Sequence, residues 1–207
     1  MVAAARVVSV SALLFLGSCS VFTGQDGDQN LIVTRGAICG TPAIQGVELG
    51  AVKGPGRCGF TDAVEVDAVG GVLLSRPSKM RCDTARTLNA WVTDHVVPTV
   101  GKTGGGVKTI DVAADYACRR RNNKSSGRLS EHSFGKAIDI SAFQLADGSA
   151  LTVASDWRRG DKGKLLRALH QSACGPFGTV LGPDSDRHHK SHFHFDTADY
   201  RSGPYCR

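Results

Sequence analysis

The chain has 207 residues, of which 41% are hydrophobic and 21% are charged. These values are ordinary for a globular domain, and they exclude a disordered chain and a polytopic membrane protein. The formal charge of +6 comes without a compact stripe of Lys and Arg interleaved with aromatic residues, so we expect no nucleic-acid partner. The length suits one domain preceded by an export segment.

The N-terminal segment is typical of an export signal. Arg6 precedes an apolar run over residues 7–16, which is too short to span a bilayer but suits the hydrophobic region of a signal peptide. The string Leu16-Gly17-Ser18-Cys19 resembles a bacterial lipobox, in which the cysteine receives lipid and becomes the first mature residue. The alternative is an ordinary cleaved signal, and both interpretations export the chain.

Export and lipidation predict the organisation and location of the protein. We expect a lipoprotein signal peptide over residues 1–18, a lipidated tether over residues 19–36 and one domain over residues 37–207. Lipid on Cys19 would anchor the protein to a membrane of the cell envelope, with the domain in the periplasm. Ser20 stands where lipoproteins retained at the inner membrane tend to carry Asp, which favours the outer membrane.

Six cysteines remain when Cys19 is reserved for lipid, and an even number in an oxidising compartment predicts three disulfide bonds. Six cysteines allow fifteen pairings, and the sequence does not choose among them. Because near neighbours close small loops, we expect the bonds Cys39–Cys58, Cys82–Cys118 and Cys174–Cys206. A zinc-thiolate site is the alternative, but the sequence contains no CxxC spacing.

The pattern of apolar residues predicts an α+β domain. Frequent Gly and Pro between Cys39 and Phe60 predict an irregular lobe, followed by one or two strands over residues 64–74. The first helix is expected from Asp83 to about Val97, ended by Pro98. A second helix is expected over residues 161–173, and shorter strands over residues 107–112, 137–143, 151–153, 177–181 and 191–195.

Two short segments contain strong metal ligands at organised spacing. In the segment that begins with His132, Ile138 and Ile140 alternate with Asp139. A strand here would bury the isoleucines and turn Asp139 to the opposite face. We therefore expect the Asp139 carboxylate to lie on the face of the sheet away from the core.

The second segment alternates in the same way. Phe193 and Phe195 would face the core, which sends His192, His194 and Asp196 to the other side. If the two strands are neighbours, one imidazole from each segment and the carboxylate converge on one point. Two His and one carboxylate leave a coordination position open for water, as a catalytic zinc requires. His192, about 6 to 7 Å along the strand, is then better suited to proton transfer than to coordination.

The spacing of these residues resembles the LAS group of zinc peptidases, which includes D-Ala-D-Ala metallopeptidases and murein endopeptidases. His132, six residues and then Asp139, with a later His192-Phe193-His194, carry the resemblance. The resemblance implies that His132, Asp139 and His194 bind Zn²⁺ and that His192 assists catalysis. It also implies a small, mostly antiparallel sheet with flanking helices.

Several further strings resemble the bacterial extensin-like C-terminal domain family. They are Tyr116-Ala117-Cys118-Arg119, Leu129-Ser130-Glu131-His132, Ala137-Ile138-Asp139-Ile140, Val180-Leu181-Gly182-Pro183 and His189-x-x-His192-Phe193-His194. In the peptidase group an arginine upstream of the first zinc His steadies substrate or oxyanion, and Arg119 is similarly placed. Arg120 or Arg121 is an alternative for that role, and Arg119 is equally well explained as a solvated loop residue.

Two functions follow from these expectations. The first is a periplasmic, lipid-anchored zinc metallopeptidase or amidohydrolase that cleaves an amide bond in the peptide of peptidoglycan. The second is an envelope protein that keeps the metal for stability or for binding peptidoglycan without cleaving it. The remaining histidines divide into His189 and His188 beside the site and His95 and His170 in the predicted helices, where a structural role is expected.

Overall fold

A computed structural model describes residues 35–199 and 202–207, together with Met1. The chain divides after Ile32, and all the elements given below belong to Val33–Arg207. The predicted signal peptide, the lipobox and nearly all of the tether lie outside the described residues.

A mixed sheet of ten strands organises the domain. Its strands are β1 (Gly36–Ile38), β2 (Thr41–Lys53), β3 (Gly59–Val69), β4 (Val72–Arg81), β5 (Val107–Ala114), β6 (Ala137–Leu145), β7 (Ala150–Thr152), β8 (Thr179–Leu181), β9 (Phe193–Asp196) and β10 (Tyr205–Cys206). Across the sheet the order is β1-β2-β3-β4-β5-β6-β9-β8-β10, and β7 pairs with β6. The pairs β4–β5 and β8–β10 are parallel. The sheet is therefore mostly antiparallel, as expected, but it is mixed and larger than expected.

Few helices accompany the sheet. They are α1 (Cys82–Trp91), a π-helical turn (Val92–Val96), α2 (Val97–Val100), α3 (Val153–Asp156) and α4 (Gly160–Ser172). The helix predicted over residues 161–173 agrees with α4. Within the described part of the chain, no helix is long and apolar enough to cross a bilayer.

Pro98 does not end the first helix, contrary to the prediction. The helix continues to Val100, because the π-helical turn widens the backbone just before the proline. The Val97 N–H donates to the Val92 carbonyl, five residues back. This wider turn accommodates a residue that has no N–H and that would clash with a regular α-helical turn.

The prediction of an irregular lobe between Cys39 and Phe60 is also wrong. Most of this segment is β2, a 13-residue strand paired with β3 through three shifts of register. One shift lies at Gly46, where a Cβ atom would stand 2.0 Å from the Glu65 carbonyl oxygen. Glycine here permits a bulge in a continuing strand and does not end the strand.

Three disulfide bonds form, as the six cysteines predicted, but two of the three predicted pairings are wrong. The bonds are Cys39–Cys82, Cys58–Cys118 and Cys174–Cys206. Because β2 is extended, it carries Cys39 away from Cys58 and towards the start of α1. Cys58 instead meets Cys118, in the segment that leads to Arg119. Only the C-terminal pair was predicted correctly.

The core lies on one face of the sheet, beneath the helices. Ile138, Ile140, Phe193 and Phe195 are fully buried. Trp91 of α1 packs edge-on against Phe195, with ring centroids 5.2 Å apart. The predicted alternation is therefore confirmed in both strands, and it leaves the opposite face of β6 and β9 for polar side chains.

Candidate metal centre

His132, Asp139 and His194 meet at one point on the face of the sheet opposite to the core. Asp139 and His194 are directly paired residues of β6 and β9. The Asp139 Oδ1 atom lies 3.1 Å from His132 Nε2 and 2.9 Å from His194 Nδ1. The two ring nitrogens are 3.2 Å apart. These three ligand atoms form a group that could hold one metal ion.

His132 reaches this point from a short 3₁₀ turn, Glu131–Phe134. Its side chain is fully buried, and Nδ1 donates a hydrogen bond to the Asp115 carbonyl oxygen at 2.6 Å. This bond places the proton of the neutral ring on Nδ1 and leaves the Nε2 lone pair facing Asp139 and His194. A backbone carbonyl is a common outer partner of a metal-binding histidine.

Gly135 ends that turn and brings it close to the neighbouring strands. Its backbone has φ of 65°, and a Cβ atom would lie 2.5 Å from the Phe60 ring. Its carbonyl accepts hydrogen bonds from the Arg81 N–H and the Thr84 hydroxyl. A side chain here would both strain the backbone and displace His132, which gives a physical reason for glycine in this motif.

His194 is oriented by a second carboxylate. Its Nε2–H donates to Asp196 Oδ2 at 3.2 Å, so Nδ1 points to Asp139. Asp196 is buried, and its Oδ1 accepts from the Ala198 N–H at 3.1 Å. Asp196 is thus an orienting partner of His194 and not a solvated residue.

The electrostatics of the metal-free group favour charge separation. Burial opposes ionisation of Asp139, but the His132 and His194 imidazoles in contact with it hold the pKa of its carboxyl well below the usual range. Burial also disfavours the charged form of His194, yet hydrogen bonds to Asp139 and Asp196 raise its pKa to about 9. The two carboxylates thus stabilise positive charge at the position where a cation would bind.

Arg119 and His192 approach the other carboxylate oxygen of Asp139. Arg119 Nη2 lies 3.6 Å and His192 Nε2 lies 3.7 Å from Oδ2. Ser133 helps to hold the arginine segment, because its Oγ accepts a hydrogen bond from the Arg119 N–H at 3.0 Å. Burial lowers the pKa of His192. The structure therefore brings together all five side chains that the sequence singled out.

Sequence reasoning missed the partner of His189. His189 is 8% exposed, and its Nδ1–H donates to Asp186 Oδ1 at 2.9 Å. Its ring centroid lies 5.3 Å from that of His192 and 5.7 Å from that of His194. Asp186 stands in a polar loop, where an acidic residue carries no signal in the sequence. Burial lowers the pKa of His189, so a second neutral imidazole borders the site.

These side chains open onto a pocket of about 530 Å³. One wall is the loop with Arg119 and Arg121, and Arg121 forms an ion pair with Glu131 at 3.0 Å. Glu131 lines the pocket as well. The opposite side is formed by β8, β10 and the loop that carries His189. The volume is within the range of ligand pockets.

His170 and His95 lie outside this pocket, as predicted. His170 projects from α4 into the aromatic core, with its ring centroid 5.2 Å from that of Phe193. Burial lowers its pKa. His188 lines the pocket but is exposed.

Comparison with known proteins identifies a family. The chain matches no curated protein and no solved structure. Residues 43–207 match the family model described as extensin-like protein C-terminus. The match covers all ten strands except β1 and the start of β2, and it includes every residue of the candidate centre. The chain therefore belongs to the extensin-like protein C-terminus family.

Proposed function

We propose that this protein is a zinc hydrolase that cleaves an amide bond in cell-wall peptide. The single observation that carries the proposal is the convergence of His132 Nε2, Asp139 Oδ1 and His194 Nδ1 beside an open pocket. Two nitrogen ligands and one carboxylate are typical of catalytic zinc. The same ligands and the same order along the chain support a relationship with the LAS peptidases.

The residues present fit a divalent metal ion. Each histidine has one ring nitrogen bonded to an outer partner, Asp115 for His132 and Asp196 for His194. The other nitrogen of each ring is directed to the same carboxylate oxygen. Imidazole and carboxylate donors suit zinc, and no described cysteine offers a free thiolate as a competing ligand, since all six form disulfides.

A zinc ion bound by these residues supplies Lewis acidity, which polarises a carbonyl group and acidifies water. The Arg119 guanidinium, beside Asp139 at the pocket wall, is placed to stabilise negative charge that develops on a carbonyl oxygen. His192 is neutral at neutral pH because burial lowers its pKa. It can therefore accept a proton from the attacking water and pass it to the departing amine.

The location of the substrate follows from the N-terminal prediction. We propose that lipid on Cys19 holds the domain at the envelope, in the outer membrane facing the periplasm, where peptidoglycan is the abundant peptide-bearing polymer. Cys19 lies outside the described residues. The tether of residues 19–36 would let the pocket reach the wall.

The test combines metal content with turnover. Purified wild-type protein, His132→Ala, His192→Ala and a control, His95→Ala, are incubated with muropeptides and intact sacculi, and new amino groups are counted. We expect one zinc per chain and amine release in the wild type and the control. His132→Ala should lose both zinc and activity, whereas His192→Ala should keep zinc and lose activity.

Two results would contradict the proposal. Zinc bound without amine release from any wall fragment would instead support the alternative of a metal-containing protein that binds peptidoglycan. Full turnover in His192→Ala would show that this imidazole does not transfer the proton.

A further inference from the structure

Tyr205, in the last strand, extends the pocket away from the metal centre. Three successive strands place Asp196, Thr179 and Tyr205 in one row, because Asp196 pairs with Thr179 and Thr179 pairs with Tyr205. Paired residues of neighbouring strands point to the same face of a sheet. All three residues line the same pocket, so the row runs from the partner of His194 outward to the tyrosine.

The row fixes how far Tyr205 lies from the reactive centre. Neighbouring strands are about 4.8 Å apart, which puts Tyr205 roughly 10 Å from Asp196. Leu181, paired with His194, also lines this part of the pocket. The outer part of the pocket is thus an aromatic ring with an aliphatic side chain and a threonine beside it. The inner part, by contrast, is charged.

Tyr205 is unusual in its exposure. It is 42% exposed and is the one aromatic side chain among the exposed large hydrophobic residues of the described chain. Exposed aromatic rings in a pocket are common contact points for ligands, because they supply a large apolar surface at little cost in conformational entropy. The phenol hydroxyl adds a polar edge to that surface.

The chain holds this short strand firmly in place. The disulfide Cys174–Cys206 ties it to the segment after α4. The Arg207 N–H donates to the Val180 carbonyl, and the Arg207 carbonyl accepts from the Gly182 N–H, both at 2.9 Å. The Arg207 guanidinium lies 5.8 Å from the centroid of the Tyr205 ring. A two-residue strand so fastened presents its side chain at a defined position.

We propose that Tyr205 forms a subsite that binds a sugar ring of the substrate, so that the enzyme recognises wall peptide still attached to glycan. A pyranose ring has an apolar C–H face, which suits the tyrosine ring, and hydroxyl groups at its edge, which suit the polar edge of the phenol. This inference rests on the proposed function for the nature of the substrate. Its geometric part, an amphipathic subsite about 10 Å from Asp196, is independent of catalysis.

The distance also limits which bond is cut. An extended peptide advances about 3.3 Å per residue, so roughly three residues span the interval between the sugar and Asp196, at the near edge of the metal centre. The subsite therefore selects a bond within the first few residues of the peptide that the glycan carries.

The test measures binding, so that it does not depend on turnover. Chelator-treated wild-type protein, Tyr205→Ala and Tyr205→Phe are titrated by calorimetry with two probes. One probe is a disaccharide tetrapeptide from peptidoglycan, and the other is the same tetrapeptide without sugar. The wild type should bind the sugar-bearing probe roughly 3- to 10-fold more tightly than the free peptide.

The variants test whether the Tyr205 ring itself, held in place by its strand, is responsible for the sugar preference. Tyr205→Ala should bind both probes equally, and Tyr205→Phe should keep most of the preference because it retains the ring. Releasing the strand with the double change Cys174→Ser and Cys206→Ser should abolish the preference as Tyr205→Ala does. Equal binding of the two probes by the wild type, or an unchanged preference in Tyr205→Ala, would overturn the inference.

Failure of the proposed hydrolysis would be seen separately. If zinc-loaded wild-type protein releases no amine but Tyr205→Ala loses the sugar preference, the proposed hydrolase activity is wrong and the proposed subsite is supported. If amine is released but Tyr205→Ala keeps the sugar preference, the hydrolase stands and the subsite is wrong.

Discussion

The two halves of the sheet differ in what they bury. Strands β1 to β4, over residues 36–81, are mostly long and place apolar side chains in the core. Charged residues such as Asp62 and Arg81 pair at the surface. Strands β6, β9, β8 and β10 are shorter and border the pocket. Of the ten buried polar or charged residues in the described chain, eight lie between Ser130 and Asp196.

This difference suggests that stability and reactive groups are assigned to different halves of the sheet. Buried polar groups cost free energy unless they are hydrogen-bonded, and each residue of the candidate centre has a specified partner. Two disulfides, Cys39–Cys82 and Cys58–Cys118, fasten the first half to the rest of the domain. We infer that the first half supports the fold while the second half holds the reactive groups. The following changes test that division.

The largest effect is expected from removing a ligand in the second half. Asp139→Ala should weaken zinc binding by about 1,000-fold or more, because the oxygen shared by both histidines is lost. Competition with a chromogenic chelator measures the change. The matched control is Asp111→Ala on the neighbouring strand β5, whose carboxylate bonds Gln144 outside the site. Similar zinc affinity in the two variants would contradict the proposed centre.

Opening a disulfide in the first half should lower stability without changing zinc affinity. The double change Cys39→Ser and Cys82→Ser removes a bond between residues 43 apart. It should lower the free energy of unfolding by about 4 kcal/mol through the entropy of the unfolded chain. Denaturant titration of the zinc-free protein measures this loss. Zinc affinity of the folded variant should stay unchanged, and a large fall in affinity would show that the halves are not separable.

A smaller effect is expected from the orienting carboxylate. Asp196→Asn should reduce zinc affinity by roughly 10- to 100-fold, since the bond that orients His194 is weakened. Asp186→Asn is the control, because Asp186 bonds His189, which is not a ligand. If both substitutions changed zinc affinity equally, the assignment of Asp196 as the partner of a ligand would be incorrect.

The smallest effect is expected in the pH dependence of stability, through His170 in the core behind the site. Burial holds the pKa of His170 below its ordinary value of 6.5, so the unfolded chain takes up this proton first as the pH falls. The protein should therefore lose stability as the pH drops below about 6.5. His170→Gln should lack this part of the loss, whereas the exposed His188→Gln should retain it. Unfolding free energies measured between pH 8 and pH 5 compare the three proteins, and parallel curves would contradict the prediction.

The sequence predicted the second half of the sheet better than the first. Candidate ligands and core residues alternate in β6 and β9, and this local pattern specifies which face each side chain takes. Once the faces were predicted, pairing of the two strands was enough to bring Asp139 to His194. The centre was therefore predictable because its geometry depends mainly on two short segments.

The first half depends on contacts that the sequence does not display. The glycines of β2 occupy bulges instead of turns, and only the partner strand shows the difference. The disulfide pairs follow from the length of β2, so an error in the strand became an error for Cys39 and Cys58. Asp186 was missed for a similar reason, since its link to His189 depends on the shape of a loop.

The most direct test of the central claim is a crystal structure of the zinc-soaked protein with anomalous data collected on both sides of the zinc absorption edge. We expect one strong anomalous peak per chain, within bonding distance of His132 Nε2, Asp139 Oδ1 and His194 Nδ1. Absence of a peak at these atoms in crystals that hold zinc elsewhere, or a peak bound by other residues, would contradict it.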